Sequence, residues 1–244
     1  MNNIAHYEST IRYHQQKAIF ANGYYDAKPG GKSRHSIWTN LTRKNVLNIL
    51  SEVTKSHPNI KSLVTLGCGK GDFTIEVAEK FPFIVKIEGI DCVKELLEIA
   101  KKESAHLSQI KFRKGDLLNL PYSDKSFDVS LCINVFHHIH KDDHYIVLKE
   151  ISRITKHHLI IEIKNNNNFY YRYINPKTFG GIKVYPTTSK RVKKSLLPHG
   201  FQLNRKIGIF YWEWLSPIVR LHFSNRNLKK YLGFCLMNFF EYFS

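Results

Sequence analysis

Hydrophobic residues recur at two different spacings along the middle of the chain, and the alternation of these spacings predicts a series of strands and helices. Apolar residues about 3.6 positions apart predict a helix over residues 38–53. From residue 62 onward, short apolar runs alternate with amphipathic stretches, as they do in strand–helix–strand units. The predicted strands are 62–66, 85–90, 110–113, 127–133 and 158–163, and the predicted helices are 73–80, 93–102 and 143–155. This order predicts an α/β fold with a doubly wound, mostly parallel sheet.

The pattern is weaker on both sides of this central region. Residues 1–40 lack strong periodicity, and residues 165–187 hold aromatic and turn residues without a predicted element. A long irregular stretch inside a compact domain is usually functional. The rest of the chain predicts a helix capped by Thr188 over 188–197, closing strands over 201–210 and 211–214, and an amphipathic helix over 217–243.

Composition narrows the class of protein. Of the 244 residues, 43% are apolar and 23% are charged, which excludes a disordered or fibrous chain and allows a sizeable core. The single cysteines, Cys68, Cys92, Cys132 and Cys235, have no zinc-site spacing, so reduced thiols in a cytoplasmic protein are expected. A secretory signal and an apolar run long enough to span a membrane are not expected either.

Positive charge is concentrated in the last third of the chain. The net charge is +17, and residues 164–244 contain fourteen Lys and Arg against two acids, Glu213 and Glu241, which gives +12. Such a region attracts polyanions, including nucleic acid, anionic lipid or a phosphorylated substrate. A solvated basic face without any partner is the alternative.

The stretch LVTLGCGKG, residues 63–71, carries the most specific chemistry. An apolar strand leads directly into Gly67, Gly69 and Gly71, and a predicted helix follows. Glycines at these positions permit a tight turn and let a ligand approach the backbone, as at the nucleotide sites of doubly wound sheets. The spacing does not fit GxGxxG, because Asp72 occupies the final position, and a P-loop would need Ser or Thr after Lys70. A tight turn without a ligand is the alternative.

Two carboxylates follow at the ends of the next predicted strands. Asp91, in EGID, lies about twenty residues beyond the turn, where an acid can accept both ribose hydroxyls of a nucleoside. Asp116, in KGDLLNLP, could accept the exocyclic amine of adenine, and the backbone N–H of Leu117 would face a ring nitrogen. Each acid alone fits an ordinary loop, whereas all three features at successive strand ends favour a nucleoside site.

These residues resemble the class I S-adenosylmethionine (SAM)-dependent methyltransferases, and most closely the broad group that includes quinone-biosynthesis C- and O-methyltransferases. The resemblance covers roughly residues 63–163, and its motifs are LGCGKG, EGID and GDLLNLPYSDKSFDVSLCINVFHHI, followed later by Gly200-Phe201. It implies a SAM-dependent enzyme that releases S-adenosylhomocysteine (SAH). One position departs from the family pattern, since Thr65 stands where an acid is usual, which bears on a water-mediated contact to the SAM amine.

The resemblance also implies roles for individual residues. Gly67 and Gly69 would contact the methionine part of SAM, Asp91 would hold the ribose, and residues 116–117 would contact the adenine. Asn134 would lie beneath the sulfonium or the methionine amine. The full expected cofactor-binding set is Gly67, Cys68, Gly69, Gly71, Asp91, Cys92, Asp116, Leu117 and Asn134.

The expected architecture is a single Rossmann-like domain with a seven-stranded sheet whose last strand is antiparallel. Its expected parts are an N-terminal cover (1–40), a SAM-binding core (41–163), an insert after the fifth strand (164–187), a closing helix and strands (188–214) and an amphipathic tail (215–244).

Little further chemistry is required of the protein, because SAM is already an activated methyl donor. His137 follows the fourth predicted strand and could serve as a general base, since the unperturbed pKa of histidine is about 6.5. Alternatively, His137 and His138 pack in the core or cap the next helix. No nucleophilic residue and no metal are expected.

The acceptor is expected beneath residues 1–40 and 165–187, which are rich in Tyr and Phe. An aromatic cover suits a ring or a prenyl chain, although it would also suit a stacked base. Arg34 could reach the carboxylate of SAM. The basic, amphipathic residues 228–243 could lie on an anionic membrane, or pack on the domain's own core or on a second subunit of a homodimer.

Three functions are compatible with these patterns. The favoured one is O- or C-methylation of a small-molecule or lipid-like acceptor, in the cytoplasm or peripherally at the membrane. The second is an RNA (tRNA) or protein methyltransferase that docks through the basic third, although residues 134–137 lack the Asn/Asp-Pro-Pro-Tyr motif of many base-methylating enzymes. The third is a non-enzymatic subunit with this fold, which the intact glycine turn and its two carboxylates argue against.

Overall fold

The structure is a computed structural model that describes residues 4–19, 34–168, 178–179, 182–208 and 218–225. Within these ranges the helices are α1 (Ile4–Ile19), α2 (Arg34–Ser56), α3 (Asp72–Lys80), α4 (Lys94–Glu103), α5 (His144–Ile154) and α6 (Ser189–Leu196). The strands are β1 (Ser62–Leu66), β2 (Lys86–Asp91), β3 (Ile110–Lys114), β4 (Phe127–Cys132), β5 (Thr155–Lys164), β6 (Thr178–Phe179), β7 (Ile182–Lys183), β8 (Phe201–Gly208) and β9 (Ile218–Asn225).

Seven of these strands form one sheet in the order β3-β2-β1-β4-β5-β9-β8. Strands β1 to β5 are parallel, and β9 is antiparallel to both of its neighbours, β5 and β8. The predicted doubly wound sheet with an antiparallel last strand is therefore confirmed. Neighbouring strands leave β1 in opposite directions along the sheet, so the β1/β4 boundary is the switch point at which such folds place their ligands.

Apolar side chains cover both faces of the sheet, which explains why the central strands are continuous apolar runs. On one face, Val147 of α5 and Val192 of α6 belong to the same buried cluster as Leu159 of β5. On the other face, Leu50 of α2 and Val77 of α3 share a cluster with the remaining sheet residues. The buried residues of β1 are consequently apolar except for Thr65, whose hydroxyl is hydrogen-bonded to that of Thr74.

Helix α2 crosses its face of the sheet from the carboxyl edge to the amino edge. In the middle of the helix, a guanidinium nitrogen of Arg43 lies 3.8 Å from the carboxylate of Asp72, which begins α3. Just beyond its end, the ring of His57 lies 4.9 Å from that of His158, near the start of β5. The helix thus passes the start of α3, which follows the glycine turn at the carboxyl edge.

Two predicted features near the C-terminus are corrected by the structure. Residues 218–225, predicted as part of a helix, form strand β9 instead. In β9, Leu221 and Phe223 join the apolar cluster on one face, while Arg220 and His222 are buried on the other. The polar residues of β9 are buried, whereas in an ordinary half-exposed strand the polar residues face solvent. This difference explains why the strand was not predicted. Residues 211–214 and 226–243, where a strand and the remainder of the amphipathic helix were predicted, lie outside the described residues.

Helices and strands also appear in regions without a predicted element. Residues 4–19 form α1, although the sequence shows no strong apolar period there. The insert contains the two-residue strands β6 and β7, which pair antiparallel. The predicted cap of α6 is confirmed, because the Thr188 hydroxyl accepts a hydrogen bond from the backbone N–H of Arg191 at 3.3 Å. Among the described helices, none is long and apolar enough to cross a membrane.

Candidate functional site

The glycine turn is tied to the end of β2 by backbone hydrogen bonds. The N–H groups of Gly67 and Cys68 both donate to the carbonyl of Ile90, at 2.8 and 3.0 Å. All three glycines have positive φ angles, +67° at Gly67, +57° at Gly69 and +85° at Gly71, which side-chain-bearing residues rarely adopt. The turn therefore requires glycine at each of these positions for its backbone conformation.

The three glycines differ in how much space a side chain would have at each position. A Cβ atom at Gly67 would lie 2.3 Å from Cγ2 of Val135, so this glycine permits close packing between the turn and the residues after β4. At Gly71 a Cβ would meet the ring of Phe112 at 2.7 Å. A Cβ at Gly69 would have nothing within 4 Å. Gly69 consequently faces open space at the switch point, where a ligand can contact its backbone.

Asp91 organises the ligand-facing side of this turn. Its Oδ2 accepts the N–H of Gly69 at 2.8 Å, and its Oδ1 accepts the N–H of Val93 at 2.9 Å. Each carboxylate oxygen can accept more than one hydrogen bond, so both oxygens retain capacity for two adjacent hydroxyl groups. The predicted ribose-binding acid thus lies directly against the predicted methionine-binding glycine.

Asp116 lies at the neighbouring strand end, after β3. The carbonyl of Asp91 accepts the N–H of Gly115 at 3.0 Å, which brings the two strand ends together. The Oδ1 of Asp116 accepts the N–H of Leu118 at 2.9 Å, so the carboxylate is held by its own turn, while Leu117 packs partly buried against the core. The structure brings Asp116 and Leu117 to the same edge of the sheet as the glycine turn.

The remaining predicted cofactor residues occupy this edge in different ways. Asn134 is exposed at the end of β4 and has a φ of +59°, a conformation that asparagine tolerates better than most residues. The Sγ of Cys68 lies against Gly89 in β2, while Cys92 is exposed. Thr65, where the resemblance implied an acid, shares a hydrogen bond of 2.7 Å with the hydroxyl of Thr74 in α3.

His137 is buried, with 4% of its surface exposed. Burial lowers the pKa of His137 well below its ordinary value, and His138, Lys164 and His14 lower it further. The carbonyl of His137 accepts the N–H of Tyr185 at 2.8 Å, which anchors the insert to this turn. His137 is therefore neutral at pH 7, and its role as a general base stays a prediction.

Helix α1 lies across the carboxyl edge as a cover. The Nε2 of His6 donates to the carbonyl of His138 at 2.8 Å, and the amide of Gln15, further along the helix, lies 3.3 Å from Oε1 of Glu95 in α4. Between these ends, Ile11 packs against Val93 and its neighbours. The cover thus bridges the turn after β4 and the start of α4, on either side of the Asp91 carboxylate. The side chain of Arg34, predicted to reach SAM, lies outside the described residues.

Tyr7 fastens this cover through two hydrogen bonds. Its hydroxyl donates to the carboxylate of Asp143 at 2.5 Å and accepts the N–H of His140 at 3.1 Å. Burial and the Asp143 carboxylate raise the pKa of Tyr7, so the phenol remains a donor at all ordinary pH values.

We expect Tyr7→Phe to loosen α1 without unfolding the domain. Loss of a hydrogen bond to a charged group costs about 1.5–3 kcal/mol, which corresponds to at least about tenfold faster opening of the helix. Hydrogen–deuterium exchange of residues 5–16 measures this effect. Tyr145→Phe is the matched control, because Tyr145 is 52% exposed. Unchanged exchange in Tyr7→Phe would show that these two bonds do not hold the cover.

Some residues of this edge carry no sequence signal. Only the structure shows that Val135 packs on Gly67 and that the rings of His14 and His138 meet edge to face, with their centroids 5.4 Å apart. The described residues contain no group of three or more His, Cys, Asp or Glu that could hold a metal ion.

Comparison with known proteins agrees with this geometry. Residues 64–158 match the protein family described as "Methyltransferase domain". The chain is 28% identical over 144 residues to a demethylmenaquinone methyltransferase of Staphylococcus aureus (strain MRSA252), an alignment that covers 54% of this chain and 59% of that protein. A demethylmenaquinone methyltransferase of Staphylococcus haemolyticus (strain JCSC1435) is 27% identical over 135 residues, with 50% and 56% covered. The chain thus spans less than two thirds of the length of these relatives.

Solved structures show the same fold. The magnesium protoporphyrin IX methyltransferase of Synechocystis PCC 6803, crystallised with SAH, superposes with a TM-score of 0.66 at 15% identity, and the alignment covers 91% of this chain and 97% of that one. At this identity the likeness concerns the fold alone. Residues 64–158, which include the glycine turn and Asp91, are therefore similar to a methyltransferase domain, and the chain has the fold of a solved methyltransferase.

Proposed function

We propose that the protein transfers the methyl group of SAM to a small-molecule or lipid-like acceptor. The observation that carries this proposal is the pairing of Gly69 with Asp91: a backbone open to a ligand, held 2.8 Å from a carboxylate that can accept further hydrogen bonds. The pair lies at the switch point of the sheet, beneath a helical cover. A nucleoside joined to an amino acid matches this arrangement, because the ribose and the amino-acid part would contact adjacent groups.

The residues of this site would act mainly by positioning. When bound, SAM supplies a methyl group already activated on its sulfonium. Asp91 would hold the ribose hydroxyls, residues 116–117 would contact the adenine, and Asn134 would lie near the sulfonium. Helix α1 would exclude water from the reacting groups. Alignment of the acceptor with the methyl group can lower the barrier to methyl transfer by at most about 7–11 kcal/mol.

A ring-containing acceptor fits the surroundings of the site. Aromatic side chains gather beside the covered edge, where the ring of Tyr185 lies 5.0 Å from that of His6 and 4.6 Å from that of His140. The demethylmenaquinone methyltransferases to which the chain is similar are named for a ring-containing acceptor. We infer an acceptor of the hydroquinone type, methylated at carbon or oxygen.

Calorimetry with SAM and SAH tests the cofactor. We expect micromolar affinity, and Asp91→Ala should weaken binding by about 1.5–3 kcal/mol through loss of hydrogen bonds to a charged group. Asp91→Asn should show a smaller loss, since the amide keeps one acceptor oxygen. Glu98→Ala is the control, because the Glu98 side chain is 57% exposed on α4 and pairs only with Lys101 among the described residues. Absence of heat with either ligand at high protein concentration would reject the methyltransferase proposal.

The acceptor is tested separately with methyl-labelled SAM. We expect label to appear in an organic extract when a short-chain demethylmenaquinol is supplied. Label transferred to tRNA or protein, and not to quinols, would show that the proposed acceptor class is wrong. The proposal that SAM is the methyl donor would still hold.

A further inference from the structure

Three charged side chains gather where β5 ends and β9 begins. Glu162 and Lys164 project from the same face of β5, and Arg220 lies opposite Glu162 in the β5–β9 register. The Lys164 ammonium is 3.7 Å from Oε1 of Glu162, and Nε of Arg220 is 3.6 Å from Oε2. A guanidinium nitrogen of Arg220 donates to the hydroxyl of Thr42 in α2. We call Glu162, Lys164 and Arg220 the β5 cluster.

Charge in the β5 cluster is unbalanced and incompletely hydrogen-bonded. Two cations face one carboxylate, although the side chain of Arg220 is 0% exposed and that of Glu162 is 3% exposed. Oε2 of Glu162 and both Nε and Nη1 of Arg220 lack a hydrogen-bond partner among the described residues. A buried ion pair with this geometry does not recover the cost of removing its charges from water. Packing of the sheet alone therefore does not account for it.

The cluster lies beside the cofactor site rather than within it. Cys132, the last residue of β4, pairs with Ile161, so Glu162 and Lys164 are level with the residues that follow β4. The insert joins Lys164 to the turn after β4, because the N–H of Thr187 donates to the carbonyl of Lys164 at 3.0 Å and the N–H of Tyr185 donates to the carbonyl of His137 at 2.8 Å. Burial lowers the pKa values of His137 and His138 in that turn. Both imidazoles are neutral at pH 7 and leave the positive charge of the cluster uncompensated. β4 is also the neighbour of β1, which leads into the glycine turn.

We propose that the β5 cluster binds an oxyanion of the methyl acceptor, either a carboxylate or a deprotonated phenolic hydroxyl. This inference rests on the proposed methyltransferase function. Lys164 is the direct partner, because its side chain is 14% exposed whereas Arg220 is enclosed behind it. A bound anionic group would bring the net charge of the cluster to zero. Both cations would attract this anion strongly, because the protein interior screens charge weakly.

The same arrangement would assist reaction at a phenolic acceptor. Positive charge next to the hydroxyl favours its anionic form, which is the better nucleophile, and the released proton passes to solvent. Deprotonation would then need no general base in the site. Lys164 is in this sense a specificity-determining residue for an acidic acceptor.

Binding of small aromatic probes to the protein saturated with SAH tests the proposal. 2-Naphthoate carries a carboxylate, and 2-naphthamide is a neutral compound of nearly the same shape. We expect naphthoate to bind at least about tenfold more tightly than naphthamide, and Lys164→Met to remove this preference while Lys164→Arg retains most of it. 4-Nitrophenol distinguishes the phenolate source, because its anion absorbs visible light, and this absorbance should rise on binding below the pKa of the free phenol.

Lys190→Met is the matched control, since Lys190 is an exposed lysine of α6. Equal binding of the acid and the amide to the native protein, or no binding of either, overturns the proposal without reference to any variant. A preference that survives Lys164→Met also overturns it. If calorimetry shows no SAH binding, the proposed function fails. The same probe measurements, repeated without SAH, then test anion binding by the β5 cluster separately, because the cluster is not part of the glycine turn.

Discussion

Replacing Gly67 with alanine is expected to lower the free energy of unfolding by about 2–5 kcal/mol. The φ angle of +67° costs a residue with a side chain about 1–2 kcal/mol. In addition, the new Cβ would lie 2.3 Å from Cγ2 of Val135, and overpacking of this kind costs about 1–3 kcal/mol. Urea denaturation, followed by circular dichroism, measures the change through the unfolding midpoint.

Gly69→Ala separates the two contributions. Its φ of +57° is nearly the same, but a Cβ there has nothing within 4 Å, so only the conformational cost of about 1–2 kcal/mol is expected. Val135→Ala introduced together with Gly67→Ala should recover part of the loss, because it removes the two methyl groups that clash. Equal destabilisation by Gly67→Ala and Gly69→Ala would contradict the packing argument.

Gly67→Ala and Gly69→Ala should also differ in their effect on cofactor binding. Gly69→Ala places its methyl group in the open space beside Asp91, where the proposed ligand contacts the backbone. We therefore expect a folded protein with weakened SAH binding from Gly69→Ala, whereas Gly67→Ala mainly affects stability.

The central part of the fold could be predicted because its strands are buried on both faces. β1, with four of its five residues buried, is an apolar run that ends abruptly at glycine, and β2 differs from its prediction by one residue at each end. The positions of Asp91 and Asp116 follow from such strand ends, since parallel strands present their carboxyl ends at one edge. Local pattern was sufficient wherever burial on the sheet determined the residue type.

Prediction from sequence failed where polar residues are buried or polar contacts hold an element in place. Helix α1 is fixed largely by bonds of His6, Tyr7 and Gln15 to the edge of the sheet, so it has little apolar period to detect. The β5 cluster joins Glu162 to Arg220 across a strand pairing that sequence alone does not reveal. Such contacts depend on register between distant segments, which no local spacing encodes.

The free energy of unfolding should fall as the pH is lowered from about 6.5 toward 4, because the unfolded chain protonates histidines that stay neutral in the folded protein. Nδ1 of His158 lies 3.1 Å from Nε2 of His222, and only 2% and 8% of these residues are exposed. Burial, together with the neighbouring imidazoles of His222, His57 and His157, lowers the pKa of His158 to about 2. Burial, together with Arg205 and His57, lowers the pKa of His222 to about 4. The ring of His57, just beyond the end of α2, contacts that of His158 at an interplanar angle of 57°.

The sign of this effect follows from proton binding in the two states. Above about pH 6.5 these histidines are neutral in both the folded and the unfolded chain, so they make no difference to stability. Below that value the unfolded chain takes up protons that the folded protein excludes, and stability is lost until the folded-state pKa is reached. Each unit of difference corresponds to about 1.4 kcal/mol. The other titratable groups near the pair are His57 and His157. The charged group beside His222 is Arg205, which is paired with Glu52 at 2.8 Å.

His222→Gln isolates one contribution to this pH dependence. Its amide can still hydrogen-bond His158 but does not titrate, so the loss of stability between pH 6.5 and 4 should shrink by about 3 kcal/mol relative to the native protein. Chemical denaturation at a series of pH values gives both slopes. His106→Gln is the control, because the His106 side chain is 61% exposed and its replacement should leave the slope unchanged. If the native protein and His222→Gln lose stability in parallel, His222 takes up its proton in the folded state without penalty. The β5–β9 pairing would then have to open to water at this end of the sheet below pH 6.5.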